Sequence, residues 1–123
     1  RMMNADFNEL FNEAMAFRDE RKWHKFHTIR HLTSALSIEA SELQELLLWK
    51  TDEEVTNELA DPDFKKNPSS EVADILLYLM FICDKADVNL LEAAKTKLNL
   101  NRRRFPPESF LGTFSRENRR EID

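Results

Sequence analysis

The chain contains few residues of the kinds that build phosphate-binding loops and thiol-based metal sites. Gly112 is the single glycine among 123 residues. A Walker A loop or a dinucleotide-binding glycine fingerprint cannot be built from it, because both need several glycines that let backbone N–H groups approach phosphate. Cys83 is the single cysteine, which excludes an intrachain disulfide and a cysteine-rich zinc site. If the chain handles phosphates, it must therefore use side chains or a metal ion.

Targeting and membrane signals are also missing from the sequence. It shows no basic and apolar leader, and no apolar run approaches the length of a transmembrane helix. We therefore expect a cytoplasmic protein that does not bind membranes. The net charge of −5 argues against nucleic acid as the main partner, because duplex binding usually needs a basic face. Two arginine-rich segments, residues 102–104 and 116–120, leave nucleic-acid binding open as a weaker alternative.

Scarce glycine and proline, together with apolar residues spaced three and four apart, predict an all-α fold. Four main helices are expected over about residues 5–22, 28–50, 67–86 and 89–105, and a short extra helix near 52–59. Thr51 followed by Glu54 resembles a capping box for the short helix, and Asn89 with Glu92 predicts the start of the fourth main helix. Residues 60–70 carry two prolines and several turn formers, which predicts a loop. We expect residues 1–107 to form a single domain and residues 108–123 to form a polar, loosely ordered tail.

The second predicted helix carries two acids where apolar residues are expected. On a helical wheel of about 100° per residue, Glu39 lies in the middle of the leucine stripe and Glu42 lies on its edge, beside Trp49. Helices normally place acids on the opposite face, because an ionised carboxylate on a buried face is unfavourable unless a cation or several donors compensate it. This anomaly marks the two acids as candidate functional residues.

The third predicted helix repeats the anomaly. Residues 75–83 form an unbroken apolar run that covers every side of the helix, so we expect it to be buried, partly against another subunit. Glu71 and Asp74 precede this run with a three-residue spacing that stacks their side chains on one face. Each of two helices thus presents a pair of acids.

Two such pairs facing each other would form a cage of four carboxylates, which suits Mg²⁺ or Mn²⁺. The alternative is that these residues are ordinary surface acids, as most acid pairs at this spacing are. A di-iron carboxylate bundle is disfavoured, because it needs Glu-x-x-His on two helices and no glutamate here has a histidine three residues later.

The fourth predicted helix carries a polar stripe that could bind phosphate. Lys97, Asn101 and Arg104 recur at i, i+4 and i+7, which places them on one helical face. Two cations and an amide in a row can hold phosphate oxygens, and Arg104 offers a bidentate fork. An ordinary solvated basic face would show the same pattern, so this alternative stays open.

Aromatic residues near the acid pairs could bind a nucleobase by stacking. Trp49 lies on the same side of its helix as Glu42, Tyr78 follows Asp74 by one turn, and His27 precedes the first acid helix. Core packing is the alternative for Trp49 and Tyr78, and a capping or core role is the alternative for His27.

The combined motifs resemble those of the MazG-like family of all-α nucleoside triphosphate pyrophosphohydrolases. The acid pairs Glu39-x-x-Glu42 and Glu71-x-x-Asp74 and the stripe Lys97-x-x-x-Asn101-x-x-Arg104 carry the resemblance. The strings FRDERKWHKFH, IEASELQELLLWK, EVADILLYLMFI and KLNLNRRRFP are most similar to the subgroup that contains dCTP pyrophosphatases. The similarity covers about residues 7–107.

The resemblance implies a Mg²⁺-dependent hydrolysis of nucleoside triphosphates between the α- and β-phosphates, with dCTP or dATP among the candidate substrates. It implies that the four acids hold the metal and are the catalytic residues. The residues implied to bind substrate are His27, Trp49, Lys50, Tyr78, Lys97, Asn101 and Arg104. The fold implied is a helical bundle completed by oligomerisation, with a dimer of dimers favoured over a dimer.

A second function stays open at this point: a non-catalytic helical module that binds another protein through the apolar third helix. It predicts no nucleotide hydrolysis and no response to divalent metal. The preferred base is not readable from the sequence, because discrimination between bases usually depends on a few hydrogen bonds.

Overall fold

A computed structural model of the chain describes the backbone of residues 2–112 and the side chains of residues 5–112. Within these residues the secondary structure is entirely helical, which confirms the predicted all-α class. The elements are α1 (Met2–Glu20), a 3₁₀ turn (Trp23–Phe26), α2 (Ile29–Glu45), α3 (Asp52–Leu59), α4 (Pro62–Ala86), α5 (Leu90–Arg104) and α6 (Pro107–Phe110). None of these helices combines the length and apolar character needed to cross a lipid bilayer.

Side chains that accept hydrogen bonds from backbone N–H groups fix the starts of several helices. The Thr28 hydroxyl accepts from the backbone N–H of His31 at 3.1 Å and begins α2. Thr51 and Glu54 form a reciprocal capping box at the start of α3, as the sequence predicts. At the start of α5, the Asn89 side chain accepts a hydrogen bond from the backbone N–H of Glu92 at 3.0 Å, also as predicted. Such caps satisfy N–H groups that have no partner within the helix.

Two predicted boundaries are wrong. Residues 60–70 are not a loop, because α4 begins at Pro62 and Asp61 caps it. Proline is tolerated at the first position of a helix, since the backbone N–H that it lacks would have no partner within the helix there. Pro68 then lies inside α4 rather than at its start. The second predicted helix also ends early: α2 stops at Glu45, and a turn over residues 46–49 precedes α3.

The hydrophobic core lies between α1, α2 and α4, and α4 packs most extensively on α2. Its buried members are Ala14, Leu32, Met80 and Phe81. Partly buried apolar residues surround them: Phe7, Phe11, Met15, Leu76, Leu77, Tyr78 and Ile82. On α1 and α4 these positions recur at three- and four-residue steps, so each of these two helices turns an apolar stripe toward the core, to which α2 contributes Leu32.

A buried ion pair joins α1 to α4 at one end of this core. Arg18 is 6% exposed. Its guanidinium donates from Nη1 to Asp84 at 2.7 Å and from Nε to Asp19 at 2.8 Å. Two carboxylates therefore compensate a cation that lies on the apolar side of α1, as a buried charge requires.

The apolar run of α4 is only partly covered. Met80, Phe81 and Cys83 are buried, whereas the other residues between positions 75 and 83 are half-buried. The burial predicted for this run is thus complete on one side of the helix only.

The described residues separate into two compact units. The first ends at Asp87 and contains α1 to α4, and the second begins at Val88 and contains α5 and α6. The single domain expected over residues 1–107 stays a prediction. The expected tail over residues 108–123 begins inside α6, and its part beyond residue 112 lies outside the described residues.

Candidate active site

Three of the four predicted acids lie together where α2 packs on α4. Carboxylate oxygens of Glu39, Glu42 and Glu71 all lie within 4.8 Å of one another. We call these three residues the acid cluster. Asp74 does not belong to it by that distance but lines the adjacent cavity one turn further along α4. The close packing of the two helices brings together pairs that are distant in sequence.

Two oxygens of the acid cluster lack any donor among the described residues. Glu39 and Glu71 are half-buried, and the Oε2 atom of each is buried without a hydrogen-bond partner. Ionised carboxylates can only accept hydrogen bonds, so two of them at this separation repel unless a proton or a cation lies between them. Glu42, by contrast, is exposed.

The neighbouring acids raise the pKa of Glu39 from 4.5 to about 7. The largest cause is the hydrogen bond that its carboxyl can share with Glu71 only while it is protonated. Burial and the hydrogen bond and charge of Glu42 act in the same direction, and the charge of Asp74 adds a smaller effect. The site thus favours positive charge, from a proton or from a metal ion.

The acid cluster fits a hard divalent cation. All of its donor atoms are carboxylate oxygens, which Mg²⁺, Mn²⁺ and Ca²⁺ prefer. The buried, unpartnered oxygens of Glu39 and Glu71 are the atoms that such an ion would satisfy.

A cavity of about 410 Å³ lies beside Glu39 and Asp74. Its walls come from α1, α2, α4 and the segment between α1 and α2, and they are mostly apolar. The lining residues are Leu10, Glu13, Ala14, Phe17, Trp23, His27, Glu39, Asp74, Leu77, Tyr78 and Phe81. An apolar, aromatic pocket next to a polar cluster is the usual form of a small-molecule site.

His27 is one of the polar groups of this cavity. Its ring centroid lies 4.8 Å from that of Phe81, and its Nδ1 atom is buried without a hydrogen-bond partner among the described residues. Burial, with smaller contributions from the positive charges of Arg18, His24 and Lys85, lowers the pKa of His27 below 6.5. The imidazole is therefore neutral near pH 7 and can both donate and accept a hydrogen bond.

Tyr78 is a second polar group of this cavity. It lines the cavity, and its ring is 6.4 Å from Phe81 in an edge-on arrangement. Burial raises the pKa of Tyr78, and the negative charges of Glu39, Asp74 and Glu42 raise it further. The hydroxyl group consequently stays protonated and available as a donor.

Trp49 and Lys50 do not line this cavity. Trp49 is 92% exposed on the turn after α2. The Lys50 ammonium is engaged elsewhere: its Nζ lies 2.6 Å from Glu58 Oε2 and 4.5 Å from the ring centroid of Phe64. The structure therefore places both residues of the predicted Trp49-Lys50 pair outside the pocket of the same chain.

Lys97, Asn101 and Arg104 lie on α5, in the second unit. They share one face of that helix, as their spacing predicts. Asn101 and Arg104 are half-buried and Lys97 is exposed. Their role in binding phosphate stays a prediction.

Sequence reasoning missed Glu13 and Trp23 in the cavity wall. A helical wheel drawn on α1 would have placed Glu13 about 40° from Phe17, at the edge of the apolar stripe. The same wheel would have placed Arg18 inside the stripe, which signals its buried ion pair. Trp23 follows the end of α1, and no periodic pattern indicates where its side chain lies.

Comparison with known proteins identifies relatives of the chain. No protein-family model matches it. It is 40% identical over 90 residues to a Bos taurus protein named dCTP pyrophosphatase 1 and 39% identical over 90 residues to the Homo sapiens protein of that name. Each alignment covers 73% of this chain and 53% of the relative, so the chain spans about half the length of these mammalian proteins.

A solved structure supports the same relationship over more of the chain. The crystal structure of a pyrophosphatase from Archaeoglobus fulgidus superposes with a TM-score of 0.76 at 38% sequence identity. The match covers 82% of this chain and 93% of the archaeal one. The chain therefore belongs to the MazG-like family of all-α nucleoside triphosphate pyrophosphohydrolases, in the subgroup similar to dCTP pyrophosphatases.

Proposed function

We propose that this chain is a Mg²⁺-dependent pyrophosphohydrolase that cleaves deoxynucleoside triphosphates between the α- and β-phosphates, releasing a nucleoside monophosphate and pyrophosphate. The mammalian relatives are named dCTP pyrophosphatase 1 and the archaeal one is a pyrophosphatase. Deoxycytidine triphosphate is the first candidate substrate and deoxyadenosine triphosphate the second.

One observation carries this proposal: a cluster of carboxylates with buried, unpartnered oxygens opens onto an apolar cavity. Triphosphates arrive with bound divalent cations, so an oxygen-rich site suits their charged end. The cavity of about 410 Å³ suits a nucleoside, whose base can lie against aromatic rings.

Glu39, Glu42 and Glu71, with Asp74 one turn along α4, are the residues that would hold Mg²⁺, and Mn²⁺ could replace it. When bound, such an ion supplies positive charge for phosphate oxygens and lowers the pKa of water. An acid that is not fully used as a metal ligand can accept the proton of the attacking water.

The remaining candidates act on the substrate itself. His27 and Tyr78 offer hydrogen bonds within the cavity, and Trp49 offers a stacking surface. Lys97, Asn101 and Arg104 would contact the triphosphate. The positive charges of Lys97 and Arg104 would stabilise the pyrophosphate leaving group.

A homo-oligomer, with a dimer of dimers favoured, and a cytoplasmic location are part of the same proposal. Large apolar side chains that remain exposed on α2, α4 and the turn between α2 and α3 support the assembly. The most exposed of them are Ile38, Leu48, Trp49 and Val72. An assembly that covered these side chains would remove their apolar surface from water.

The test is pyrophosphate release from a panel of deoxynucleoside triphosphates, with Mg²⁺ and with EDTA. The wild type should release pyrophosphate only with the metal. Glu42→Gln and Asp74→Asn should each lower kcat at least about 100-fold, because each removes negative charge from a site that stabilises the transition state.

Glu45→Gln is the matched control, since Glu45 lies on α2 but outside the acid cluster, and its activity should match the wild type. Circular dichroism verifies that all variants remain helical. Full activity in both Glu42→Gln and Asp74→Asn refutes the site. Absence of hydrolysis by the wild type on every triphosphate, with no thermal shift on adding Mg²⁺ and nucleotide, favours the interaction module instead.

A further inference from the structure

The turn between α2 and α3 presents Trp49 in an unfavourable conformation. Its backbone φ is 65°, in the left-handed region that bulky L-residues rarely adopt, and its side chain is 92% exposed. Both features are destabilising, so the surrounding structure must hold the residue in place. A large aromatic ring held out in this way suits contact with another molecule.

Lys50, the next residue, makes backbone and side-chain contacts that fix its position. Its backbone N–H donates to the Leu47 carbonyl at 3.4 Å, and Thr51 after it belongs to the capping box of α3. Its ammonium lies 2.6 Å from the carboxylate of Glu58 on α3 and 4.5 Å from the ring centroid of Phe64 on α4. The Lys50 side chain is 26% exposed and that of Glu58 is 37% exposed, so solvent screens this pair only partly.

These contacts tie the turn to two helices at the residue that follows Trp49. The ammonium contacts an acid and an aromatic ring, neither of which lines the cavity. An attraction to the Phe64 ring face adds to the ion pair.

We propose that Lys50 is a positioning residue, which acts on substrate binding through Trp49 by anchoring their turn to Glu58 and Phe64. This inference rests on the proposed function, because it assumes that Trp49 contacts the nucleotide. It assigns Glu58 a part in the same task, although Glu58 lies outside the acid cluster and the cavity.

Kinetics distinguish positioning from direct contact. Lys50→Met keeps the aliphatic stem but removes the charge, whereas Glu58→Gln keeps the lysine charge and removes its anchor. Positioning predicts that both variants raise the KM for dCTP by about tenfold, the scale of one lost stacking contact, with kcat unchanged within about twofold. Lys50→Arg retains a cation for Glu58 and should keep KM near the wild-type value.

A double-mutant cycle with Trp49→Ala gives the sharper test. If Lys50 acts through Trp49, neither Lys50→Met nor Glu58→Gln raises KM further once Trp49 is removed. Lys66→Met is the matched control, because it breaks an exposed pair with Asp63 on α4 and should leave KM unchanged. The proposal is overturned if Lys50→Met raises KM but Glu58→Gln does not, or if neither variant changes KM. It is also overturned if Lys50→Met still raises KM in the Trp49→Ala background.

A spectroscopic measurement separates this inference from the proposed function. The chain has two tryptophans, Trp23 and Trp49, so fluorotryptophan labelling should give two ¹⁹F NMR resonances, which Trp49→Phe assigns. Lys50→Met and Glu58→Gln should shift or broaden the Trp49 resonance and leave that of Trp23 in place, whether or not the protein hydrolyses any triphosphate. An unchanged Trp49 resonance in both variants contradicts the anchoring.

Discussion

Among single residues, Glu39 couples the candidate site most directly to pH. Its half-buried carboxyl faces Glu71 and Glu42, and its pKa of about 7 means that the metal-free protein binds a proton there across mildly acidic conditions. The unfolded chain, with a pKa near 4.5, has already lost that proton. Protonated Glu39 therefore stabilises the fold fully below pH 4.5, and this stabilisation is lost as the pH rises through 7.

Glu39→Gln tests this linkage, because glutamine is neutral at every pH. In EDTA, the wild type should lose stability between pH 5.5 and pH 8 relative to the variant, and the variant should have the higher melting temperature at pH 8. Thermal unfolding followed by circular dichroism at the two pH values measures the difference. Parallel pH dependence in both proteins would show that Glu39 does not carry the effect.

The acids and the cavity were not equally predictable at this scale. Glu39 and Glu42 could be singled out because a helix fixes the angle between its own residues, and the apolar stripe then indicates the buried side. The cavity could not be predicted, because Glu13, His27 and Tyr78 line one cavity only when α1, α2 and α4 pack together. That Asp74 stays outside the acid cluster likewise depends on how α2 and α4 are set against each other, which spacing alone does not determine.

At the scale of elements, the ends of helices were predicted where a local interaction determines them. The capping box of Thr51 and Glu54 and the cap of Asn89 involve residues three apart, so the sequence shows them directly. Helix α4 differs, because it continues through Pro68 and packs against α1, α2 and α3, and a local sequence signal does not reveal such tertiary contacts. Proline is a strong local signal for a loop, but here the helix continues past it.

Pro68 should consequently destabilise the protein. It lacks the N–H that would donate to the Phe64 carbonyl, so one hydrogen bond of α4 is missing. Pro68→Ala should raise the free energy of unfolding by about 1–2 kcal/mol, because the gain in helix stability exceeds the greater freedom of the unfolded chain. Urea denaturation measures this change.

Pro62→Ala is the control for that experiment. Pro62 occupies the first position of α4, where no intrahelical bond needs its N–H, so its replacement should bring no gain. A Pro68→Ala protein no more stable than Pro62→Ala would show that the interior proline carries no penalty in this helix.

For the whole molecule, the apolar side chains left on the surface of one chain favour association with further copies. Ile38 is 58% exposed on α2 and Val72 is 53% exposed on α4, the two helices that carry the acid cluster. A chain of 123 residues still leaves a large share of its surface in water, so covering these side chains would stabilise the folded state.

We expect the wild type to sediment as a dimer or tetramer at micromolar concentration. The double variant Ile38→Glu/Val72→Glu should sediment at a lower mass, because charged groups at an apolar interface are unfavourable. Asn12→Glu on α1 adds a carboxylate at an exposed polar position and should leave the mass unchanged. A monomeric wild type at all concentrations contradicts the assembly.

The single cysteine makes transient local opening of α4 measurable by thiol labelling. Cys83 is 8% exposed within the core face of α4, and burial raises the pKa of its thiol, so few molecules carry a reactive thiolate. An alkylating reagent can therefore label the native protein only during transient opening of this helix, and the labelling rate measures how often that happens.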